Sequence, residues 1–322
     1  MPNFYKTVWL SWHYAARSRN LAKVLNIPIL EYFNNKNALQ RHALSSFWTI
    51  WMLFKHRPKV VVIQLSFMLL NLVAIYKIFT FGKTVIIVDC HTKALRRKAK
   101  GVLNKIFWPI KRFTFSLVNL SIISNNGMKK DIDELHNNYL ILPDKIPENI
   151  IKTDPNKSEK YCVYISAFAV DEPFEEIFEV AKLLKDELDI YWTGKRPKSL
   201  PLPEEVPENL KFTGFISFED YYNLIGNSDC VLALTTEEDC LQSGAYEALN
   251  VEVPMVITDS FALREYFDNS AVYTNHEPEQ IAKNILKAIE NSSDQINNIK
   301  RIKELRNAEF FEKIDKIEEL LK

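Results

Sequence analysis

Residues 211–263 alternate short apolar runs with helix-like stretches, and this order constrains the fold more than any other part of the chain. Runs typical of buried strands at Cys230–Leu234 and Pro254–Thr258 flank a helix over about Ser243–Leu249, and a further strand and helix precede them. Strands that alternate with helices predict a parallel sheet. Ligands of such sheets bind beyond the carboxyl ends of the strands, so the acid-rich loop Thr235–Ser243 is the expected functional site.

This segment resembles the donor-binding half of nucleotide-sugar glycosyltransferases with the GT-B fold, particularly the retaining family 4. In that family an acid is followed, after seven residues, by Glu and Ala, and Asp239, Glu247 and Ala248 stand at that spacing here. The run Val253–Asp259 is similar to the family's next strand and loop. The resemblance implies that Glu247 binds the ribose hydroxyls and that Asp239, a member of the catalytic set, binds the sugar hydroxyls. A carboxylate suits both roles because it accepts two hydrogen bonds.

The resemblance also implies which groups surround the diphosphate of a donor. The backbone N–H groups of Cys240 and Leu241 would face it at a helix entrance, where unpaired N–H groups favour an anion. Lys195 and Arg196 are the nearest cationic substitutes for a basic pair that the family has early in this domain, and a solvated basic turn is the alternative for them. The remaining donor-binding positions implied are Gly194, Phe215 and Gln242.

Charge is distributed unevenly along the 322 residues, although the formal net charge is zero. Residues 1–150 carry 22 basic and 7 acidic side chains, whereas the remainder carries 19 and 34. Such asymmetry favours two domains with different partners, the basic one facing a polyanion such as a membrane surface, a phosphorylated acceptor or nucleic acid. The fold expected is α/β and GT-B, with two Rossmann-like parallel-sheet domains facing across a cleft.

The domain boundaries follow from composition and from the resemblance. Alternating strands and helices predict a first, acceptor-binding domain over residues 1–145. A proline-containing polar stretch indicates a linker at 146–160, and a donor-binding domain is expected at 161–300. By resemblance, the C-terminal helix at about 301–322 packs back onto the first domain.

Two loops that follow predicted strands of the first domain carry candidate chemistry. His13, Arg17 and Ser18 follow the first strand, where a helix start suits an acceptor phosphate, with ordinary basic surface as the alternative. Asp89 and His91 follow strand Thr84–Val88 and are similar to the histidine that such enzymes place near the donor sugar. This resemblance implies a catalytic His91 that bonds a sugar hydroxyl or the departing phosphate, with Asp89 fixing its tautomer. A buried structural histidine is the alternative.

Residues 93–115 contain eight basic residues among apolar ones, and no acid. A basic amphipathic helix of this kind predicts binding to an anionic membrane surface, with Phe107 and Trp108 at the boundary. A solvated helix whose aromatic side chains point inward is the alternative, and a nucleic-acid groove is not expected because no recognised module accompanies it. The apolar run Val60–Phe81 is interpreted as a strand followed by a buried helix rather than as a membrane span.

Other motifs exclude several classes of function. The chain lacks the glycine motifs of nicotinamide enzymes and P-loop nucleotidases. Asp131 and Asp133 superficially resemble a metal-binding pair, but residues two apart on a helix do not face each other, so no metal site and no cofactor are expected. Four isolated cysteines and the lack of a cleavable signal pattern fit a reducing cytosol.

These observations together predict a cytoplasmic enzyme, peripheral on the membrane. It would move a sugar from a nucleotide-diphospho-sugar to a saccharide or lipid-linked saccharide, plausibly in cell-envelope polysaccharide synthesis, by a retaining and metal-independent reaction. Two alternatives remain open. One is other GT-B chemistry, such as epimerisation of a nucleotide-sugar, and the other is a non-catalytic, membrane-docked binding protein with a degenerate donor site.

Overall fold

The computed structural model describes residues 5–96, 103–148, 159–200 and 202–321. The chain separates into two compact units, Met1–Lys145 with Glu309–Lys322, and Ile146–Ala308. Each unit contains one six-stranded sheet in which every described pairing between strands is parallel. The expected α/β architecture with two parallel sheets is confirmed.

The first unit has its strands in the order β2-β1-β3-β4-β5-β6. The strands are β1 (Thr7–Ser11), β2 (Ile29–Glu31), β3 (Val60–Gln64), β4 (Val85–Asp89), β5 (Leu120–Ile123) and β6 (Tyr139–Ile141). The helices are α1 (Ala16–Val24), α2 (Ala38–His56), α3 (Phe67–Phe79), α4 (Thr92–Leu95), α5 (Leu103–Ser116) and α6 (Lys129–Asp133), with a 3₁₀ turn at Asn126–Met128 before α6.

The second unit has the order β12-β11-β10-β7-β8-β9. Its strands are β7 (Tyr161–Tyr164), β8 (Asp189–Thr193), β9 (Leu210–Gly214), β10 (Cys230–Ala233), β11 (Met255–Thr258) and β12 (Val272–Thr274). Its helices are α7 (Glu175–Leu183), α8 (Phe218–Gly226), α9 (Ser243–Val251), α10 (Phe261–Phe267) and α11 (Pro278–Glu290), with a 3₁₀ turn at Asp268–Ser270. The last helix, α12 (Ser292–Leu321), contributes to both units.

The central strands form because their residues are apolar on both faces. All five residues of β3 are buried, and so are all four of β10. Each sheet therefore separates two apolar layers, as expected for a parallel sheet covered by helices on both sides. In the first unit one layer contains residues of α3 and α5, and the other contains Leu21 of α1 together with Phe310 and Ile314 of α12.

Both ends of helix α2 have a local cause. It begins at Ala38, because Asn37 Oδ1 accepts a hydrogen bond from Gln40 N at 3.0 Å. Such a cap satisfies a backbone donor that the helix leaves unpaired. The helix ends where Arg57 adopts a left-handed conformation, φ +47°. Within the part of the chain that the structure describes, no helix is long and apolar enough to cross a membrane.

Gly194, at the end of β8, occupies a position that no other residue fits. Its φ is +89°, and a Cβ placed on it would lie 2.3 Å from the carbonyl oxygen of Ser166. Gly214, its bridge partner at the end of β9, has a φ of +64° and open space around its Cα. The close approach of two backbones at Gly194 fixes how the loops after β7 and β8 meet.

We predict that Gly194→Ala destabilises the second unit more than Gly214→Ala does. Both alanines carry the cost of a positive φ, but only the first meets backbone, and overpacking of this kind costs about 1–3 kcal/mol. Urea denaturation of both variants measures the difference. Equal free energies of unfolding would show that the loop moves freely away from residue 194.

Candidate active site

The carboxyl ends of the second unit's strands meet at one edge, and the strand order reverses between β7 and β10. Two loops leave the sheet there in opposite directions, which opens a crevice where ligands of such sheets bind. The loops are joined by a hydrogen bond from Thr236 N to Asp171 O at 2.7 Å and one from Thr235 Oγ1 to Asp171 Oδ2 at 3.1 Å. The predicted donor loop therefore lies at the switch point of its sheet.

Helix α9 begins close to this crevice because its first turn contains glycine. A Cβ on Gly244 would lie 3.0 Å from side-chain atoms of Ile165 and 3.1 Å from Ala233, so α9 packs tightly on the ends of β7 and β10. The helix begins at Ser243, with Gln242 as its N-cap. The backbone groups of its first turn are therefore those of Ser243 and Gly244.

The helix starts at the residue predicted for it, and Cys240 and Leu241 lie in the loop before it. Leu241 packs against the apolar core. Gln242 turns its amide back onto the sheet, where Nε2 donates to Leu234 O at 2.5 Å. Asp239 lies half-buried in the same loop. The backbone N–H groups of the first helical turn, those of Ser243 and Gly244, are suited to an anion, and the diphosphate contact of Cys240 and Leu241 stays a prediction.

Glu247, on α9, is half-buried and accepts one short hydrogen bond. Tyr221 of α8 donates from its hydroxyl to Glu247 Oε2 at 2.5 Å. Burial raises the pKa of Glu247 to about 7, and the Tyr221 hydrogen bond opposes part of that rise. A carboxyl group in this state is poised to accept hydrogen bonds from a ligand that enters as it loses its proton.

The loop after β7 contains its own anion. The carboxylate of Glu172 accepts hydrogen bonds from Ser166 Oγ at 2.6 Å, Ala167 N at 3.1 Å and Ala169 N at 3.1 Å. A concave group of backbone N–H donors like this is a frequent anion-binding arrangement. These donors are already engaged, so they are not free for a phosphate in this conformation.

The remaining predicted donor residues follow β8 and β9. Lys195 is exposed and makes no ion pair with any described residue. Arg196 is half-buried and donates to Leu200 O at 2.5 Å within its own loop. Phe215, directly after the left-handed Gly214, is 82% exposed. The structure thus places a free cation and a free aromatic ring on the same edge as Glu247.

In the first unit, Arg17 is buried and has a structural role instead of the predicted phosphate contact. Its Nε lies 2.9 Å from Asp89 Oδ1, its NH1 lies 2.6 Å from Asp144 Oδ1, and its NH2 donates to Leu142 O at 2.8 Å. Asp89 is fully buried. The network ties α1, the end of β4 and the chain after β6 together. Ser18, also expected to contact the acceptor, is fully buried.

The same network corrects the role expected for Asp89. Its Oδ2 lies 3.9 Å from His91 Nε2, beyond hydrogen-bond distance. Gln64, at the end of β3, instead places Nε2 2.7 Å from that ring nitrogen. An amide nitrogen only donates, so this contact leaves the proton of the neutral His91 ring on Nδ1. Gln64 therefore orients His91, and Asp89 binds Arg17.

His13 and His91, predicted for different roles, lie close enough to interact. Partial desolvation lowers the pKa of His13, and the charges of His91 and Arg41 lower it further. Both rings are accessible at the carboxyl edge of β1 and β4, beside the switch point between β1 and β3. The first unit thus has its own polar cluster at the corresponding edge of its sheet.

The basic stretch 93–115 differs from its prediction. Arg97, Lys98 and Lys100 lie outside the described residues. Lys111 is buried and donates to Leu95 O at 2.6 Å, and Arg96 pairs with Asp131 at 2.8 Å. Phe107 and Trp108 are half-buried and face Phe67 and the Lys111 ammonium. Both rings pack partly against the core, and their place at a membrane boundary stays a prediction.

Three residues at these edges were missed by the sequence analysis. Gln64 is the one polar residue of an otherwise apolar strand, a signal that could have marked it. Tyr221 reaches Glu247 from a neighbouring helix, and His276 lies 3.1 Å from Thr258 Oγ1 at the end of β11. Neither tyrosine nor histidine stands in a recognisable spacing, so only the fold reveals them.

Comparison with known proteins identifies the class of enzyme. The profile of the family described as "Glycosyl transferases group 1" matches residues 145–305, half of the chain. The chain belongs to this family. It is a glycosyltransferase with the GT-B fold. A search of curated proteins finds no match.

Solved structures share this glycosyltransferase fold at low sequence identity. HepE of Anabaena, crystallised with UDP, is 12% identical with a TM-score of 0.70, covering 98% of this chain and 99% of that one. A glycosyltransferase of Rickettsia africae is 11% identical with a TM-score of 0.72, covering 98% of each chain. The lipopolysaccharide outer core galactosyltransferase WaaB is 11% identical with a TM-score of 0.63, covering 96% and 98%.

Because Asp89 neutralises a buried guanidinium, we predict that Asp89→Ala destabilises this glycosyltransferase by about 3–5 kcal/mol, as breaking a buried ion pair does. The matched control is Asp131→Ala, which breaks the more exposed pair with Arg96 and should cost about 0–1 kcal/mol. Urea denaturation followed by a probe of the first unit checks both. A stable Asp89→Ala protein with lost activity would restore the catalytic role.

Proposed function

We propose that this glycosyltransferase moves a sugar from a nucleoside-diphospho-sugar to a saccharide or lipid-linked saccharide acceptor. The desolvated carboxyl of Glu247, held by Tyr221 at the switch point of the second sheet, is the observation that carries the proposal. An ionised carboxylate binds vicinal hydroxyls of a ribose through charge-assisted hydrogen bonds. Burying such a carboxyl without a ligand is unfavourable, which indicates a functional position.

The rest of the donor has suitable partners on the same edge. The first turn of α9 offers backbone N–H groups to a diphosphate, and Lys195, exposed after β8, offers a positive charge. The exposed ring of Phe215 offers a surface on which a base can stack. UDP is the first nucleotide to test, because HepE, which shares the fold, was crystallised with it.

In the first unit, His91 is proposed to contact the donor sugar or the departing phosphate, and His13 to contact the acceptor. The pair is accessible at the carboxyl edge, whereas Arg17, Ser18 and Asp89 are buried and support the fold. In a retaining reaction of the kind that the family resemblance implies, the leaving phosphate takes the acceptor's proton, so no strong base is required of either ring.

The acceptor is proposed to be a lipid-linked saccharide of cell-envelope polysaccharide synthesis, used at the cytoplasmic face of the membrane. The support is the positive charge of the first unit, which favours a phosphorylated or membrane-bound partner. Transfer of labelled sugar to lipid-linked and to free saccharides tests this. Equal transfer to both would contradict a lipid-linked acceptor.

We predict that Glu247→Gln weakens UDP binding by about 1.5–3 kcal/mol at pH 8, because the charged acceptor is lost while the side-chain shape is kept. The wild-type affinity should fall as the pH decreases through about 7, where Glu247 gains its proton, and the variant's affinity should not. Calorimetry measures both. Glu238→Gln, a change of an exposed acid in the neighbouring loop, is the control and should bind UDP normally.

Two further measurements separate a ligand-binding role from a structural one. Tyr221→Phe removes a hydrogen bond that lowers the pKa of Glu247, so the pH at which UDP affinity falls should move upward.

The raised pKa of Glu247 also affects stability. The folded state keeps a proton that the unfolded state releases between about pH 4.5 and 7, so the free energy of unfolding decreases as the pH rises through that window. Glu247→Gln should therefore be more stable than wild type at pH 8. Unchanged UDP binding in both variants would overturn the donor site.

Metal independence stays a prediction. Sugar transfer should persist in excess EDTA, since backbone N–H groups and Lys195 are proposed to neutralise the diphosphate. A radiochemical transfer assay with and without the chelator measures this, and loss of activity that Mg²⁺ or Mn²⁺ restores would refute it. The same product, examined by NMR, gives the anomeric configuration, and an inverted product would contradict the retaining mechanism.

A further inference from the structure

The first unit contains a long stretch with almost no negative charge. Between Glu31 and Asp131 the sequence has 17 basic residues and a single acid, Asp89. That acid is fully buried against Arg17. The helices α2, α3 and α5, which all lie in this stretch, therefore contain basic residues and no acidic ones.

These three helices also expose apolar side chains at helical spacing. Helix α3 contacts α2 on one side and α5 on the other, so the three form one layer on the sheet. We define the apolar face as ten of the exposed apolar side chains of this layer: Phe47, Ile50, Trp51, Phe54, Ile75, Ile78, Phe79, Ile106, Ile110 and Phe113. Exposed apolar patches of this extent mark interaction sites in soluble proteins.

A cavity of about 540 Å³ opens where α2 and α3 end. Phe54, Tyr76 and Phe79 form its apolar wall. Arg57, Lys59 and Lys83 surround it with positive charge, and none of the three makes a side-chain ion pair or hydrogen bond with any described residue. The cavity combines the apolar lining and the few charged groups typical of a site for a small amphiphile.

This cavity is separate from the polar cluster of the first unit. It lies where β3 and β4 begin, since Lys59 precedes Val60 and Thr84 precedes Val85. His91 follows the other end of β4, five residues along, which is roughly 17 Å at the usual rise of a strand. A ligand in the cavity is therefore too far from His91 to be the reacting end of an acceptor.

We propose that the cavity between α2 and α3 binds the anionic headgroup and upper acyl chain of a membrane phospholipid, and thereby seats the apolar face on an anionic bilayer. Arg57, Lys59 and Lys83 bind the phosphate. Phe54, Tyr76 and Phe79 contact the chain. The proposal rests on the peripheral attachment included in the proposed function and refines it. From the surface predicted for residues 93–115 it keeps Ile106, Ile110 and Phe113, and it adds α2, α3 and the cavity.

The positive charge around the apolar face favours an anionic lipid surface as its partner over a second copy of the chain. Two copies of the chain meeting through it would bring like charges together, which disfavours a dimer. A bilayer that contains anionic lipid satisfies both features at once, because its phosphates attract the unpaired cations and its hydrocarbon receives the phenylalanine and isoleucine side chains.

Vesicle co-sedimentation of the full chain tests the proposal, with phosphatidylcholine vesicles that contain or lack phosphatidylglycerol. Wild type should bind the anionic vesicles in preference. The triple variant Arg57→Gln, Lys59→Gln, Lys83→Gln should bind them at least about ten-fold more weakly. The charge-matched control Lys23→Gln, Lys313→Gln, Lys316→Gln changes α1 and α12, which cover the opposite face of the sheet, and should bind as wild type does.

Tryptophan fluorescence identifies the surface that enters the bilayer. Of the six tryptophans, Trp51 of the apolar face is 49% exposed, and the other five are buried or half-buried. Brominated phosphatidylglycerol should therefore quench wild type, and Trp51→Phe should lose most of that quenching. The double variant Phe54→Ala, Phe79→Ala alters exposed rings and should weaken binding that persists at high salt.

Three results would overturn the proposal. They are equal binding by the triple variant and its control, equal binding to vesicles with and without anionic lipid, and quenching that survives in Trp51→Phe. Self-association abolished by the double phenylalanine variant would instead assign the face to a second copy. UDP calorimetry on the same variants should match wild type, so failure of the lipid site and failure of the donor site remain distinguishable.

Discussion

Parallel pairing of every described strand is the constraint on which both candidate sites depend. Parallel strands require a crossover after each strand, so all carboxyl ends meet at one edge of the sheet and every functional loop leaves from that edge. In the second unit this brings the loops of β7 and β10 together with the first turn of α9, where Gly244 permits close packing. In the first unit it places His13, Gln64 and His91 on one edge. Residues far apart in sequence become neighbours because the loops that contain them leave the sheet at the same edge.

Electrostatics within the second unit explain why Glu247 stands out among its many acids. Glu172 is stabilised by three hydrogen bonds from its own loop, and Asp259 pairs with Arg264, whose charge lowers the pKa of that carboxyl. Glu247 has burial and a single tyrosine hydroxyl, so its pKa rises instead. Such a carboxyl adds little to stability, and the proposed donor role gives it a purpose, since a bound ribose would donate further hydrogen bonds to it. Tyr221 matters for the same reason, because its hydrogen bond lowers the pKa of Glu247 and so favours the ionised carboxylate near neutral pH.

The central strands, such as β3 and β10, were predictable from sequence because each is a short apolar run buried on both faces. The strand predicted at the start of the run Val60–Phe81 is β3, and the helix predicted at about Ser243–Leu249 is α9. Side-chain roles were less predictable, since Arg17 and Lys111 look like surface cations until tertiary structure supplies Asp89 or the Leu95 carbonyl. The sequence also did not reveal which side of α5 faces the core. The basic stretch 93–115 has apolar residues on several sides of its helix, and only packing decides that Phe107 and Trp108 turn inward while Ile106, Ile110 and Phe113 turn outward.

The cations of the first unit fall into two groups, and the difference carries information about partners. Arg17, Arg96 and Lys111 each have a protein acceptor within 3 Å, so their charge is compensated inside the fold. Arg57, Lys59 and Lys83 gather around one cavity with no acceptor among the described residues, although like charges in proximity repel. Such an arrangement is unfavourable in isolation and becomes favourable when an anion enters. The uneven charge of the chain is therefore consistent with the two partners proposed above, a nucleotide for the acidic unit and an anionic lipid surface for the basic unit.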